Sequence, residues 1–246
     1  MTINYPAFYA DMIRAPHVLI AGTTGSGKTE ALKGLLYALA ARDPARVSWV
    51  LIDPKRVELA AFRDFPHTAA YAANYADIAR TIAAAHAEMM RRYDEMARAG
   101  ATRWAGSEMF VIIDEWVDIK QYCPRETVAH INHIASLARS AGVHLVICTQ
   151  RPTKDCLSPL LKDNLPCKLA LATESPQQSK YLVNSPAAYG LPIGTGLFYT
   201  PARPGEWQRV KIDMISPEKW QAIRDIRTPP KPRHNSILSR ISALWQ

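Results

Sequence analysis

A mainly parallel α/β sheet with helices on both faces is the fold class this sequence predicts, on three observations. Short apolar, β-prone runs alternate with long helix-period segments, the pattern of strands joined by crossover helices. The first run passes through a glycine-rich turn straight into a helical pattern. After residue 175 the texture changes to prolines, glycines and short apolar pieces. Two of these, Leu197-Phe198-Tyr199 and Val210-Lys211-Ile212, fit an antiparallel pair at the sheet edge. At 246 residues, the chain is long enough to bury the core of one large α/β domain.

The elements follow in order. The first strand is 17–21, His-Val-Leu-Ile-Ala. A helix is expected at 28–41, with Leu32, Leu35, Leu36 and Leu39 on one face. The second strand, 47–52, is closed by Asp53-Pro54. A long helix is expected at 77–99, with Ile78, Ile82, Met89 and Met96 buried and Gly100 as its stop. A third strand spans 109–113. Another helix is expected at 125–141, with Val128, Ile131, Ile134, Leu137 and Ala138 inward, ended by Gly142. Strands at 143–148 and 168–172 complete the parallel set. Ser216-Pro217 opens a further helix with proline at its first position. The expected organisation is one domain over 1–227, then a stiff proline-rich linker at 228–232 and a short amphipathic basic tail to residue 246.

Hydrophobic residues at 48% and charged residues at 21% exclude a disordered chain. No apolar run reaches the roughly eighteen residues of a membrane span, and the N-terminal stretch lacks the order of a signal peptide, so a cytoplasmic location is expected. The net charge of +8 favours a polyanionic partner such as nucleic acid. Cys123, Cys148, Cys156 and Cys167 have no zinc-pair spacing and read as free thiols. His130 and His133 share a helix face, which reads as solvated rather than as a metal site.

Gly22-Thr23-Thr24-Gly25-Ser26-Gly27-Lys28-Thr29 fits G-x-x-x-x-G-K-[ST], the phosphate-binding loop. Its glycines let backbone N–H groups turn toward a polyphosphate, and the helix that starts near Lys28 adds its positive end. Lys28 reaches the β- and γ-phosphates, and the Thr29 hydroxyl binds Mg²⁺. Gly22 through Thr29, with Glu30, form the expected ATP-binding set. Met109 to Ile113 is an apolar strand that ends in Asp114 and Glu115, the first of them 86 residues after Lys28. A strand tip in a parallel sheet is where ligands collect. Asp114 suits the Mg²⁺ shell, and Glu115 suits a base that polarises the attacking water. Gln150 ends another apolar strand. It reads either as a sensor of the γ-phosphate or the water, or as an ordinary turn residue before Arg151-Pro152.

These residues resemble the FtsK/SpoIIIE-type DNA translocases of the HerA–FtsK group of P-loop ATPases. The stretch from Pro16 to Thr29 is similar to that family's first strand and loop. Ile52-Asp53-Pro54-Lys55 with Glu58-Leu59, Phe65-Pro66-His67, and Glu88 with Arg92-Tyr93 resemble its further signatures. Ile113-Asp114-Glu115, the run from Leu137 to Val146, and Thr149-Gln150-Arg151-Pro152 resemble the remaining blocks. The likeness covers roughly residues 16–200. It implies a RecA-like fold, ATP and Mg²⁺ as cofactors, ATP hydrolysis coupled to translocation along double-stranded DNA, and a hexameric ring. The N-terminal spans and the C-terminal winged-helix module of membrane-anchored relatives have no counterpart here. The expectation is therefore a bare motor of a plasmid, an integrative element or a virus.

The resemblance also implies an arginine supplied by the neighbouring subunit, at the start of the strand after Gln150-Arg151-Pro152. Lys168 stands there, and a lysine cannot fork onto a phosphate. Lys168 acting more weakly, or Arg139, Arg151, Arg91 or Arg92, are the candidates. Arg151, Lys154, Lys162 and Lys168 are candidates to grip the DNA backbone. Two other functions compete: the ATPase of a protein-secretion system, and a non-hydrolysing nucleotide-dependent assembly subunit. The tail after residue 232 is expected to dock onto a neighbouring subunit or a partner protein, or to pack back on its own domain.

Overall fold

The central strands of the sheet alternate their side chains between two cores, and this alternation explains the layering. In the computed structural model, which describes residues 6–216 and Glu218, eight strands run in the order β3-β2-β4-β5-β1-β6-β7-β8. They are β1 (His17–Ala21), β2 (Val47–Ile52), β3 (Thr68–Ala72), β4 (Glu108–Ile113), β5 (Val143–Thr149), β6 (Cys167–Ala170), β7 (Thr195–Tyr199) and β8 (Gln208–Lys211). The pairings from β3 through to β6 are parallel; β7 is antiparallel to β6, and β8 to β7. Val18, Ile20, Leu51, Phe110, Ile112 and Val146 face one core, while Leu19, Ala21, Val50, Val111, Ile113 and Leu145 face the other. That is the period of two expected of strands buried on both sides.

The first core is covered by α1 (Ala7–Arg14) and α2 (Lys28–Ala40). Sequence periodicity had placed no helix before β1. Phe8, Tyr9, Met12 and Ile13 of α1 are nevertheless buried against α2. Gly34 makes this possible, because a Cβ there would stand 2.1 Å from the Tyr9 hydroxyl. The second core lies under α3 (Tyr75–Arg98), α4 (Trp116–Tyr122), α5 (Arg125–Leu137), α6 (Pro159–Asp163) and α7 (Pro176–Val183).

Several expected boundaries move. α3 starts at Tyr75 because Asn74 caps it, its Oδ1 accepting the Asp77 N–H at 2.9 Å. α5 stops at Leu137, four residues short of expectation, and Leu137 is 44% exposed rather than inward. Ala138 is the C-cap, and Gly142, at φ 62°, turns the chain directly into β5. β3 was not expected: Thr-Ala-Ala-Tyr-Ala carries little apolar signal, and pairing with β2 makes it a strand. Ser158-Pro159 and Ser175-Pro176 open α6 and α7, each serine hydroxyl accepting a helix N–H. The expected antiparallel pair is present, with Thr195 opposite Lys211. The helix after Ser216 and the segment 228–246 lie outside the described residues.

His86 of α3 joins His130 and His133, its Nε2 lying 2.6 Å from His133 Nδ1. Among the described residues, no group of three or more His, Cys, Asp or Glu is arranged to hold a bare metal ion, and no helix is long and apolar enough to cross a membrane.

Two histidines tie β1 to β5. His17 Nδ1 accepts the Leu145 N–H at 3.0 Å, and His144 Nδ1 donates to the Ala15 carbonyl at 2.9 Å. Burial, with His144 adding to it, depresses His17 from 6.5 to about 3, and burial also lowers His144. A depressed pKa contributes stability that is fully present above pH 6.5 and lost as the pH falls toward 3. Each pH unit in that window costs up to about 1.4 kcal/mol per such group. Thermal unfolding is therefore expected to show the midpoint dropping between pH 7 and pH 4.5. His17→Asn, which keeps a neutral acceptor but cannot titrate, should flatten that dependence.

Candidate nucleotide site

The loop after β1 is stitched to both neighbouring strands. Gly22 N–H donates to the Thr149 carbonyl at 3.1 Å, and Thr23 N–H to the Ala172 carbonyl at 2.8 Å. Gly27 sits at φ 102°, and its missing Cβ leaves room for Gly194, whose N–H donates to the Ser26 carbonyl at 3.1 Å. Gly27 is the N-cap of α2 and brings no side chain to that role. The first amides of α2 therefore point into the loop, where an anion is the natural partner.

Lys28 is buried. Its Nζ donates to the Asp114 carbonyl at 3.3 Å and lies 3.7 Å from Asp114 Oδ1. Burial pulls Lys28 down, but the nearby acids Asp114, Glu115 and Glu58 outweigh it, and Lys28 stands above the ordinary lysine value. The same burial pushes Asp114 up to about 6, with Lys28 opposing the shift and Asp53, Glu58 and Glu115 adding to it. Asp114 Oδ1 is buried without a hydrogen-bond partner. Thr29 Oγ1 donates to Glu58 Oε1 at 2.9 Å. Thr29, Asp114 and Glu58 thus present hard oxygen donors beside the loop. They fit Mg²⁺, which keeps water and phosphate oxygens and needs only one or two protein ligands.

Parallel pairing brings the remaining groups to the same edge. Glu115 is buried at the tip of β4, where its Oε1 accepts the Gln150 N–H at 3.3 Å and the Val117 N–H at 3.4 Å. Gln150 Oε1 accepts the Thr24 hydroxyl at 2.8 Å, so Gln150 touches the phosphate loop rather than only turning the chain. Thr23 Oγ1 donates to Glu174 Oε1 at 3.1 Å. Glu30 stands back from the loop and pairs with Lys33 at 3.2 Å.

The candidate cations do not converge. Arg151 is exposed beside Gln150 at the loop edge. Arg139 is exposed after α5, at the opposite edge of the sheet. Lys168 lies inside β6 with its ammonium 6.0 Å from the Tyr199 ring, and burial, then Lys162, lowers its pKa. Lys162 is likewise held, donating to the Tyr181 carbonyl at 3.0 Å. Arg92 cannot serve as the arginine supplied to a neighbouring subunit. It is wholly buried, paired with Glu88 at 2.9 Å, and donates to the carbonyls of Ala141 and Gly142 at 2.8 and 2.9 Å. Such a group clamps α3 to the α5–β5 turn and cannot reach a neighbour. Arg91 is spent on Glu88 and Glu95. Sequence reasoning assigned no chemistry to Lys55, Glu58 or Glu174. Lys55 and Glu58 stood in a quoted signature, but only the adjacency of β2 and β4 shows what they face.

A parallel sheet whose first strand carries a phosphate loop, with an acidic tip two strands away and a polar tip between them, defines a RecA-like P-loop ATPase. The FtsK/SpoIIIE family model matches residues 3–108. Over 212 residues the chain is 37% identical to DNA translocase FtsK of Streptomyces avermitilis, covering 76% of this chain and 23% of that protein. The cytoplasmic domain of the Type VII Secretion ATPase EccC from Thermomonospora curvata superposes with a TM-score of 0.73 at 26% identity, over 91% of this chain and 29% of that one. The pCW3 conjugation coupling protein TcpA with ATPγS gives 0.73 at 20% identity, over 88% of this chain and 66% of that one, and shows the shared fold. The chain belongs to the FtsK/SpoIIIE family. It spans about a quarter of the length of the FtsK relative, 23%.

The Arg92 clamp makes a checkable claim. Arg92→Ala leaves the Ala141 carbonyl without its donor, takes one of two donors from the Gly142 carbonyl and leaves the buried Glu88 to Arg91 alone, and is expected to cost roughly 3–5 kcal/mol of stability. Denaturant titration measures it, and a near-neutral result would return Arg92 to the list of candidate fingers.

Proposed function

We propose that this domain hydrolyses ATP to move along double-stranded DNA as a homo-oligomeric ring, hexameric by family likeness. The observation that carries the reading is the meeting of Lys28, Asp114, Glu115, Gln150 and Thr24 at one sheet edge. The loop from Gly22 to Thr29 holds the phosphates, through the amides that the fold has not already bonded, and Lys28 neutralises the β- and γ-phosphates. Thr29 and Asp114 hold Mg²⁺, which when bound supplies charge neutralisation at the phosphate oxygens. Glu115 accepts a proton from the attacking water. Gln150, bonded to Thr24, is placed to register the terminal phosphate and pass its state along β5. Arg139, Lys168 or Arg151 is presented to a neighbouring subunit. The exposed Arg151 and Lys154 are the better backbone grips, since Lys162 and Lys168 already hold aromatic and carbonyl partners.

The reading places the domain in the cytoplasm, serving DNA transfer, partitioning or genome packaging of a mobile element or virus. The segment 228–246, with its +3 charge from Lys231, Arg233 and Arg240, serves assembly with a neighbouring subunit or partner protein. The likeness to a secretion ATPase favours a second reading, in which the cargo is a protein. Turnover measured with and without long duplex DNA separates them: strong stimulation supports the motor, and indifference to DNA supports the alternative.

Lys28→Ala is expected to abolish ATP binding or turnover; near wild-type hydrolysis would move the nucleotide site elsewhere. Glu115→Gln should bind ATP but lose about 10²–10⁴-fold in turnover, or roughly 3–5 kcal/mol. DNA affinity should be indifferent to sequence and fall steeply with salt in a filter-binding titration. A footprint at one defined sequence would contradict that.

A further inference from the structure

Glu115 is gripped from three directions, and the third belongs to a residue with no assigned role. Two amides hold Oε1, and Lys55 Nζ lies 3.5 Å from Oε2. The pair joins a 42% exposed lysine to a carboxylate that is 4% exposed. An ion pair between two exposed groups contributes little, but here the acid is buried and its charge needs a partner.

The lysine is placed by backbone rather than by chance. β2 and β4 pair in parallel with Ile52 opposite Ile113, so Asp53-Pro54-Lys55 leaves the sheet beside Asp114-Glu115. The turn is pinned: Arg56, at φ 59°, donates its N–H to the Asp53 carbonyl at 3.1 Å, and Asp53 Oδ2 accepts the Leu59 N–H at 3.1 Å. Asp53 Oδ2 also lies 3.3 Å from the Tyr71 hydroxyl on β3. Lys55 therefore emerges from a fixed turn with its head on the buried acid. Lys28, by contrast, is turned to Asp114.

We infer that Lys55 is the positioning residue for Glu115. It holds Oε2 so that the remaining lone pair of that oxygen faces the attacking water. The amides of Val117 and Gln150 already occupy Oε1, so Oε2 is the oxygen left to take the proton. Without Lys55 the carboxylate tilts toward those two amides, and the aim of the base is lost. Because the grip includes the Gln150 amide, Lys55 and the Thr24–Gln150 contact report on one carboxylate from two sides. The inference rests on Glu115 being the residue that polarises water.

The test is steady-state ATPase of the full chain with Mg²⁺ and duplex DNA, for Lys55→Met, Lys55→Arg, Glu115→Gln and the Lys55→Met/Glu115→Gln double variant. Equilibrium affinity for a non-hydrolysable ATP analogue is measured alongside. Lys55→Met is expected to lower kcat roughly 10- to 100-fold, the usual effect of removing a residue that orients a catalytic group. KM and analogue affinity should stay within about 2-fold, because the lysine holds Glu115 and not the phosphates. Lys55→Arg should restore most of the rate. In the Glu115→Gln background, loss of Lys55 should cost nothing further, since the two act as one unit. Wild-type kcat in Lys55→Met beside an inactive Glu115→Gln overturns this inference alone, as would additive losses or a raised KM with unchanged kcat. Unchanged turnover in Glu115→Gln overturns the reading of Glu115, and this inference with it.

Discussion

Parallel pairing of β1 with β5 and β6, and of β4 with β2 and β5, is the constraint from which the rest follows. Parallel strands end on one edge, so Ala21, Ile52, Ile113 and Thr149 release their loops side by side. Residues far apart in sequence then meet without any long-range motif: Thr24 with Gln150, Lys28 with Asp114, Lys55 with Glu115. A slip of one register would turn Asp114 and Glu115 to the wrong faces, and the two cores on opposite sides of the sheet forbid it.

Charge at that edge is held in tension. Four carboxylates, Asp53, Glu58, Asp114 and Glu115, stand near one another, and Lys28 alone among them is a buried cation. Burial raises Asp114 because its charge is costly there, while Asp114, Glu115 and Glu58 raise Lys28 against its own burial. Such a mixture of buried charges fits a polyanion together with a divalent cation, whose opposite charges offset one another across it. The first amides of α2 behave alike: Gly27 brings no side chain to cap them, and an anion is their natural partner.

The opposite edge of the sheet is closed by a different device. Arg92, Glu88 and Tyr93 on α3 hold the turn that ends α5, with Arg92 on the carbonyls of Ala141 and Gly142 and Tyr93 Oη on the Leu137 carbonyl. Trp104 lies over the Arg92 guanidinium at 5.0 Å and donates its backbone N–H to Ser140. This clamp fixes where β5 begins, and hence where Gln150 emerges at the far end. Arg139 extends from the same turn, exposed at the start of the strand whose far end carries Gln150 beside the phosphate loop.

Local chemistry determined a great deal here. The phosphate loop, the acidic tip of β4 and the apolar strands each depend on residues within a few positions of one another, and the sequence carries them openly. Ser158-Pro159 and Ser175-Pro176 were equally legible as helix starts, but the proline-rich texture around them masked the signal. Other features had no local trace. β3 has a weak strand pattern and exists because β2 offers it an edge; α1 is helical because Tyr9 fits over Gly34. Arg92 is a clamp rather than a finger because Glu88 and two carbonyls surround it. Lys55 and Glu58 gained roles because parallel pairing set β2 beside β4. The sequence by itself determined the class of sheet, the loop that holds phosphate and the acids that serve it. Tertiary structure decided which cations face those acids, because side-chain partners are chosen by strand order, and strand order is a property of the folded chain.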